Sequence, residues 1–229
     1  MNKSLIIIPT YNEAQNCELL HKKIRENNKD IDILFIDDNS PDKTNEIIEK
    51  IITKDAKTIL KSRNSKQGIG SAHKFGFSWA FENKYKIVLT IDADLTHDPV
   101  LINDMINLSS NYDLVITGRF LKKNSLEGWS LLRKFITYSR HIVVKFLFKI
   151  PYDTSGAYRC YNFSKIKLND LLKAKDNGYS FFWESLIILY YKNYSICELP
   201  LKLPIRKKGS SKISFKDIFR AIYYLIFFY

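Results

Sequence analysis

The sequence predicts an α/β domain with a mostly parallel central sheet flanked by helices. Three observations lead there. Short apolar runs alternate with segments of helical periodicity. The runs are almost continuously apolar, as strands are when helices cover both faces of a parallel sheet. Most of them also end abruptly in a polar cluster, and in such sheets ligands sit at the carboxyl ends of the strands.

Taken in order, Leu5–Ile8, Asp32–Ile36, Lys57–Leu60, Ile87–Ile91 and Leu114–Thr117 read as strands. Between them Glu13–Asn27, Lys43–Ile52, Ser71–Glu82 and Val100–Leu108 carry the helical pattern. The polar clusters are Thr10-Tyr-Asn-Glu13, Asp37-Asp-Asn-Ser-Pro-Asp42, Asp92-Ala-Asp94 and Gly118-Arg119. Because each directly follows an apolar run, they point to one composite site. The second half differs in character. Leu131–Phe148 reads as an amphipathic helix, and Asp153–Tyr161 as a polar turn entering a strand. Ser180–Tyr191 reads as a helix, Ile196–Leu203 as a strand, Lys207–Lys212 as a loop and Phe215–Tyr229 as a last helix. There is no internal repeat and no low-complexity linker, so 1–229 is expected to form a single domain.

Composition narrows the function. The chain has 229 residues, long enough for one α/β core. Its formal net charge is +12, from 36 Lys and Arg against 24 Asp and Glu. Such a charge suits nucleic acid, anionic lipid or phosphorylated substrates. The basic residues concentrate between Arg119 and Lys149, where Glu127 is the only acid, and again from Arg206 to Lys212. Cys17, Cys160 and Cys197 are odd in number and far apart, which excludes a disulfide framework or a CxxC zinc site and fits a reducing cytoplasm. The apolar run Leu5–Ile8 is too short for a signal peptide. Ala221–Tyr229 is shorter than the roughly 20 residues that cross a bilayer. Any membrane contact is therefore expected to be peripheral, at the cytoplasmic face.

The sharpest chemical signal is Asp92-Ala93-Asp94 after the run Lys86–Ile91. Carboxylates two residues apart on an extended chain project to the same side and repel. A hard divalent cation, Mg²⁺ or Mn²⁺, relieves that repulsion and takes diphosphate oxygens as further ligands. The plain alternative is a polar turn whose second Asp caps a helix. Asp38 has the same placement after the second strand and suits a base or ribose, while Asp42 reads as a helix cap. Asn12 with Gln15 reads as a capping box beside Glu13. Gly68-Ile-Gly70 fails the dinucleotide pattern, since Ala72 and His73 stand where a third glycine belongs. It reads as a turn and helix start near a phosphate.

These motifs, from Ile6-Ile-Ile-Pro-Thr-Tyr-Asn-Glu13 through Asp92-Ala-Asp-Leu-Thr-His-Asp-Pro99 to Gly118-Arg119, resemble those of family 2 glycosyltransferases. Four later motifs narrow the resemblance to polyprenyl-phosphate mannose synthases of the dolichol-phosphate type. They are Trp129 with Arg133, Asp153–Arg159, Gly178–Phe181 with Glu184, and Arg206–Lys212. The resemblance spans residue 5 to about residue 215. It implies a GT-A fold, with 1–118 binding a nucleotide-sugar and 119–229 binding the acceptor. It implies that Pro9, Tyr11, Glu13, Ile36 and Asp38 hold the nucleotide, and that Asp92, Ala93 and Asp94 bind metal and diphosphate. Arg119, Arg133 and Thr137 would face the lipid phosphate, and Arg206 and Lys212 the donor phosphates. Two positions depart from the family: Thr96 stands where a Gln commonly supplies a third metal ligand, and Thr137 where a Ser is usual.

The implied reaction fits the residues. A phosphate monoester has a second pKa of about 6, so the acceptor is largely ionised near neutral pH and needs no general base. Basic side chains are what the reaction requires, and a direct displacement inverts the anomeric configuration. Asp153 and Glu184, bases in relatives with hydroxyl acceptors, are read here as structural or sugar-contacting, and Arg159 as pairing with a carboxylate. The expected substrates are GDP-mannose or a similar donor and a polyprenyl phosphate. An anionic membrane surface, or a membrane-anchoring subunit, completes the expected partners. The competing readings are a sugar-hydroxyl acceptor in cell-envelope polysaccharide synthesis and, from charge alone, nucleic-acid binding. The latter leaves the paired aspartates unexplained.

Overall fold

A computed structural model describes residues 3–204. The loop with Arg206 and Lys212 and the helix expected at Phe215–Tyr229 lie outside the described residues. The first half follows the alternation of its sequence: β1 (Ser4–Thr10), α1 (Ala14–Asn27), β2 (Asp32–Asp37), α2 (Thr44–Ile52), β3 (Thr58–Ser62), α3 (Ile69–Glu82), β4 (Ile87–Thr90), α4 (Ile102–Leu108) and β5 (Leu114–Gly118). Then come α5 (Leu131–Phe148), β6 (Arg159–Asn162), α6 (Leu168–Leu172), α7 (Ser180–Tyr191) and β7 (Ile196–Pro200).

The seven strands form one sheet in the order β3-β2-β1-β4-β6-β5-β7. All neighbours are parallel except β6, which runs antiparallel to both β4 and β5. Strand periodicity divides the core in two. Leu5, Ile7, Leu34, Ile36 and Val88 face one side, under α3 and α7. Ile6, Ile8, Ile33, Phe35 and Leu89 face the other, under α1 and α4. Apolar residues at consecutive strand positions are thus all buried, which is why these strands do not alternate with polar residues.

The expected capping box at α1 does not form. Asn12 is left-handed, with φ 56°, and the helix begins at Ala14. Its first donors go to the next loop instead: Glu13 N–H to Thr44 Oγ1 at 3.0 Å and Ala14 N–H to Asp42 Oδ2 at 3.1 Å. Asp42 also caps its own helix, accepting from Thr44 N–H at 3.2 Å. One carboxylate therefore ties the ends of two strand–helix loops together at the site edge.

The Gly68–Gly70 segment is a turn and helix start, as expected, and its glycines are required by packing. Gly68 has φ 95°, and a Cβ there would lie 2.3 Å from the Asn177 carbonyl oxygen. A Cβ on Gly70 would lie 2.6 Å from Phe181 Cβ. The first turn of α3 is closed by this loop, with Ser71 N–H donating to Asn177 O at 3.1 Å.

Candidate active site

β1, β2, β4 and β5 all deliver their polar clusters to one edge of the sheet. Pro9 and Ile36 are register partners on β1 and β2. The Ile36 side chain is buried in the core and its carbonyl accepts the Thr10 hydroxyl at 3.3 Å. Asp37 is a fastener: it accepts from Thr10 Oγ1 at 2.9 Å and from Ser40 N–H at 2.9 Å. Asp38, one residue on, is paired with Arg63 at 2.6 Å and accepts from Gln67 N–H at 3.1 Å. Both side chains of that pair are 7% exposed. Tyr11 lies under the Lys66 ammonium, 4.4 Å from the ring centre. Glu13 is buried and accepts from Asn16 Nδ2 at 2.7 Å. Beside Arg63 an open groove of about 510 Å³ runs along Gln67, Ser71 and Lys74. A larger hollow of about 730 Å³ lies at the opposite end of the sheet, by Lys3 and Asp32, away from these acids.

β4 ends at Thr90, and Ile91 continues toward the paired acids, its N–H donating to Ile7 O at 3.2 Å. Asp92 keeps 31% of its side chain exposed. Its backbone N–H donates to His97 Nδ1 at 3.3 Å. Asp94 Oδ1 accepts twice from Thr96, from the N–H at 3.0 Å and from the hydroxyl at 2.6 Å. Leu95 has φ 63°, the left-handed turn that folds Thr96 back onto Asp94. Ala93 is buried between the two carboxylates. His97 lies 5.3 Å, ring to ring, from Tyr158, and burial pushes its imidazole down to about 4. It is therefore neutral near pH 7, and its Nδ1 can accept the hydrogen bond from the Asp92 backbone N–H. The donor set, two carboxylates two residues apart in one loop, consists of hard oxygens. Its chemistry fits Mg²⁺ or Mn²⁺.

A group of arginines stands within electrostatic range of Asp94. Arg119, just after β5, meets Asp153 through two parallel bonds, Nε to Oδ2 at 2.7 Å and Nη2 to Oδ1 at 2.8 Å. Its backbone N–H adds a third at 3.2 Å. Burial opposes the charge on each partner, but their attraction and hydrogen bonds outweigh it. Arg119 is held above its ordinary value and Asp153 well below the carboxylate range. Behind them Glu198 on β7 accepts from Asp153 N–H at 2.7 Å, and burial pushes its carboxyl up. Gly118 carries no side chain for a reason: a Cβ would lie 2.1 Å from Glu198 Oε1.

α5 supplies the other arginines. Ser130 caps it, its hydroxyl accepting from Arg133 N–H at 3.3 Å. The Arg133 guanidinium stacks 3.5 Å over the Trp129 ring. Burial and the charge of Arg119 lower its pKa, while Asp94 raises it, so Arg133 lies within electrostatic range of both groups. Thr137, one turn on, is buried. Arg119 and Arg133 are thus within electrostatic range of one another, and Arg133 of Asp94, with Thr137 one turn further along α5.

Two readings of buried charge resolve. Glu184 is structural: its oxygens accept from Lys175 N–H at 2.6 Å and Asp176 N–H at 2.9 Å. Among the described residues Arg159 pairs with no carboxylate. It donates to the carbonyls of Gly156, Thr154 and Phe182 at 2.7 to 2.8 Å, pinning the turn before β6. Sequence reasoning missed Arg63, His97 and Arg140. Arg63 directly follows β3 and was legible as another strand-end residue. Arg140 lies seven residues after Arg133, hence on the same helix face. His97 had no signal beyond its distance from Asp92.

The geometry meets its relatives at this point. A model of glycosyl transferase family 2 matches residues 5–169, and the chain belongs to that family. Polyprenol monophosphomannose synthase of Mycolicibacterium smegmatis is 27% identical over 96% of this chain and 84% of its own length. Undecaprenyl-phosphate mannosyltransferase of Micrococcus luteus is 28% identical over 92% of this chain and 87% of its own. Dolichol-phosphate mannosyltransferase of Pyrococcus furiosus is 30% identical over 98% of this chain, which spans 64% of that protein. Among solved structures, glucosyl-3-phosphoglycerate synthase from Mycobacterium tuberculosis, in complex with Mn²⁺, UDP and glucosyl-3-phosphoglycerate, superposes with a TM-score of 0.67. It is 14% identical, covering 98% of this chain and 77% of that one. The fold is GT-A.

Proposed function

We propose that this glycosyltransferase moves mannose from GDP-mannose, or a similar nucleotide-sugar, to a polyprenyl phosphate. The observation that carries the reading is that Arg133, on α5, lies within electrostatic range of both Arg119 and Asp94, the second of the paired acids. The named relatives act on the same class of acceptor and support it. In this reading the half 1–118 holds the donor and the half 119–229 receives the acceptor. Pro9, Tyr11, Glu13, Ile36 and Asp38 frame the nucleotide, with Arg63 locking Asp38 in place. Arg206 and Lys212 remain candidates for the donor phosphates.

Asp92 and Asp94 would hold a divalent metal, and Thr96 would orient Asp94 toward it through the 2.6 Å hydroxyl bond. Such an ion, Mg²⁺ or Mn²⁺, supplies neutralisation of the charge that builds on a departing diphosphate. Arg133 and Arg119 would align the ionised acceptor through paired N–H donors. One acceptor oxygen bonds the anomeric carbon as that carbon's bond to the diphosphate breaks. The nucleoside diphosphate leaves with the electron pair, and no proton moves. Asp153 makes a poor base, because Arg119 occupies both of its oxygens. That observation disfavours a hydroxyl acceptor. The sugar arrives with the configuration opposite to the donor's.

We also propose that α5 docks on the cytoplasmic face of an anionic membrane. Leu131, Leu132, Phe135 and Phe146 are 69% to 84% exposed, among Lys134, Lys145 and Lys149. An apolar face edged with lysines suits the interface of a bilayer. Among the described residues no helix is long and apolar enough to cross one.

The test is a competition. Labelled GDP-mannose is offered with undecaprenyl phosphate and a non-phosphorylated glycan together. Label is expected in the organic phase, as a mannosyl phosphate of inverted configuration. Label in the glycan, or retained configuration, would overturn the reading.

A further inference from the structure

Arg140 belongs to the arginine group, although none of the family motifs quoted above includes it. It follows Arg133 by seven residues and Thr137 by three, so all three share one side of α5. Its Nη2 donates to Ser155 Oγ at 2.6 Å. The Nη2 of Arg119 donates to the same oxygen. The Ser155 hydroxyl in turn donates to Asp153 Oδ1 at 3.1 Å. One hydroxyl therefore bridges two guanidinium groups, both of its lone pairs taken and its proton given to the carboxylate.

Among the described residues the charges around this bridge do not balance. Arg119, Arg133 and Arg140 converge, and Asp153 is the carboxylate within hydrogen-bond reach of Arg119 and of the bridge. Glu198 stands behind it, pushed toward its neutral form by burial. The cost shows on Arg140 itself. The residue is exposed as a whole, yet its guanidinium sits in dense surroundings; that desolvation, with repulsion from Arg119, lowers it to about 10. Crowded cations that outnumber the carboxylates beside them are stabilised by an incoming anion. A guanidinium offers a planar fork of donors, and the Ser155 bond uses only one of them.

We infer that Arg140, positioned by Ser155, is a third guanidinium that grips the phosphate monoester of the acceptor. This rests on the acceptor reading above and deepens it. The phosphate would be met by Arg133 and Arg140 from two turns of one helix, with Arg119 set between them by Asp153. The donor diphosphate is the other phosphate source in the site, and it lies on the side of Asp94. Arg133 is the member of the group that senses Asp94; Arg140 senses Arg119 and Asp153 instead.

The test is a kinetic split, with initial rates measured against undecaprenyl phosphate and, separately, against GDP-mannose. A hydrogen bond between charged groups contributes about 1.5–3 kcal/mol, so Arg140→Gln should raise the acceptor KM about ten- to a hundredfold. Donor KM should stay within about twofold of the parent. Arg140→Lys should recover part of the loss, and Ser155→Ala should raise the acceptor KM by a smaller factor by freeing the guanidinium. Melting curves of all three variants exclude misfolding as the cause. An acceptor KM unchanged in a folded Arg140→Gln enzyme overturns the inference while leaving the acceptor reading intact. So does a rise confined to the donor KM, which would place Arg140 on the diphosphate. A parent enzyme that ignores undecaprenyl phosphate altogether sinks both.

Discussion

Thr96 and Asp153 show how single side chains hold this site in place. Thr96 gives both its N–H and its hydroxyl to one oxygen of Asp94. Thr96→Val keeps the shape and removes the hydroxyl bond, so the Mn²⁺ concentration for half-maximal rate should rise several-fold with little change in melting temperature. Asp153 is 2% exposed and neutralises Arg119. Replacing it with Asn leaves a buried guanidinium without its counter-charge, a loss of about 3–5 kcal/mol. Chemical denaturation of Asp153→Asn measures this. The pair also sets an acid limit. The Asp153 carboxyl is depressed in the folded chain, so its contribution is complete above about pH 4. It is lost as pH falls further toward the folded value.

At the scale of elements, α3 and α5 make opposite demands. α3 is locked down at its start, where Gly68 leaves no room for a Cβ beside Asn177. Gly68→Ala should cost about 1–3 kcal/mol and loosen the Arg63 side of the donor groove. α3 also buries His73 among Phe77, Phe181 and Phe182. Desolvation pushes that imidazole down to about 4 from its ordinary 6.5. The unfolded chain therefore binds the proton more readily, and stability should fall as pH drops from about 6.5 toward about 4. His73→Phe should flatten this slope in a pH series of melting curves. α5 is the reverse case, a helix whose apolar side has no cover among the described residues. Its buried residues are Thr137, Val144 and Phe148, all toward the site and α7. Leu132→Ser with Phe135→Ser and Phe146→Ser should abolish sedimentation with anionic vesicles and leave the melting temperature nearly unchanged. Retained vesicle binding would remove α5 as the docking element.

For the molecule as a whole, the sequence was most legible where the physics is local. Five apolar runs, each followed by polar residues, yielded the parallel part of the sheet and the edge that carries the site. α5 matched its predicted bounds because its periodicity is strong and Ser130 caps it. β6 was harder to place. Its four residues, Arg159-Cys-Tyr-Asn162, are too few and too polar at both ends to read as an apolar strand, and its partners β4 and β5 are fixed only by tertiary packing. α6, five residues long, left no periodic signal. In the site, chain-local chemistry was visible: the paired acids, Arg119 after β5 and Arg133 on α5. What was hidden was the pairing at long range, Asp38 with Arg63, Asp153 with Arg119 and Ser155 with Arg140. Nothing in a linear pattern reports which carboxylates are already engaged.

The most direct test of the account is a Mn²⁺ titration of mannosyl transfer to undecaprenyl phosphate, with the parent enzyme and Asp94→Ala side by side. The parent rate should rise from background and saturate, while Asp94→Ala stays at background across the whole range yet melts like the parent. Full transfer in the presence of a chelator, or turnover by Asp94→Ala, would contradict it.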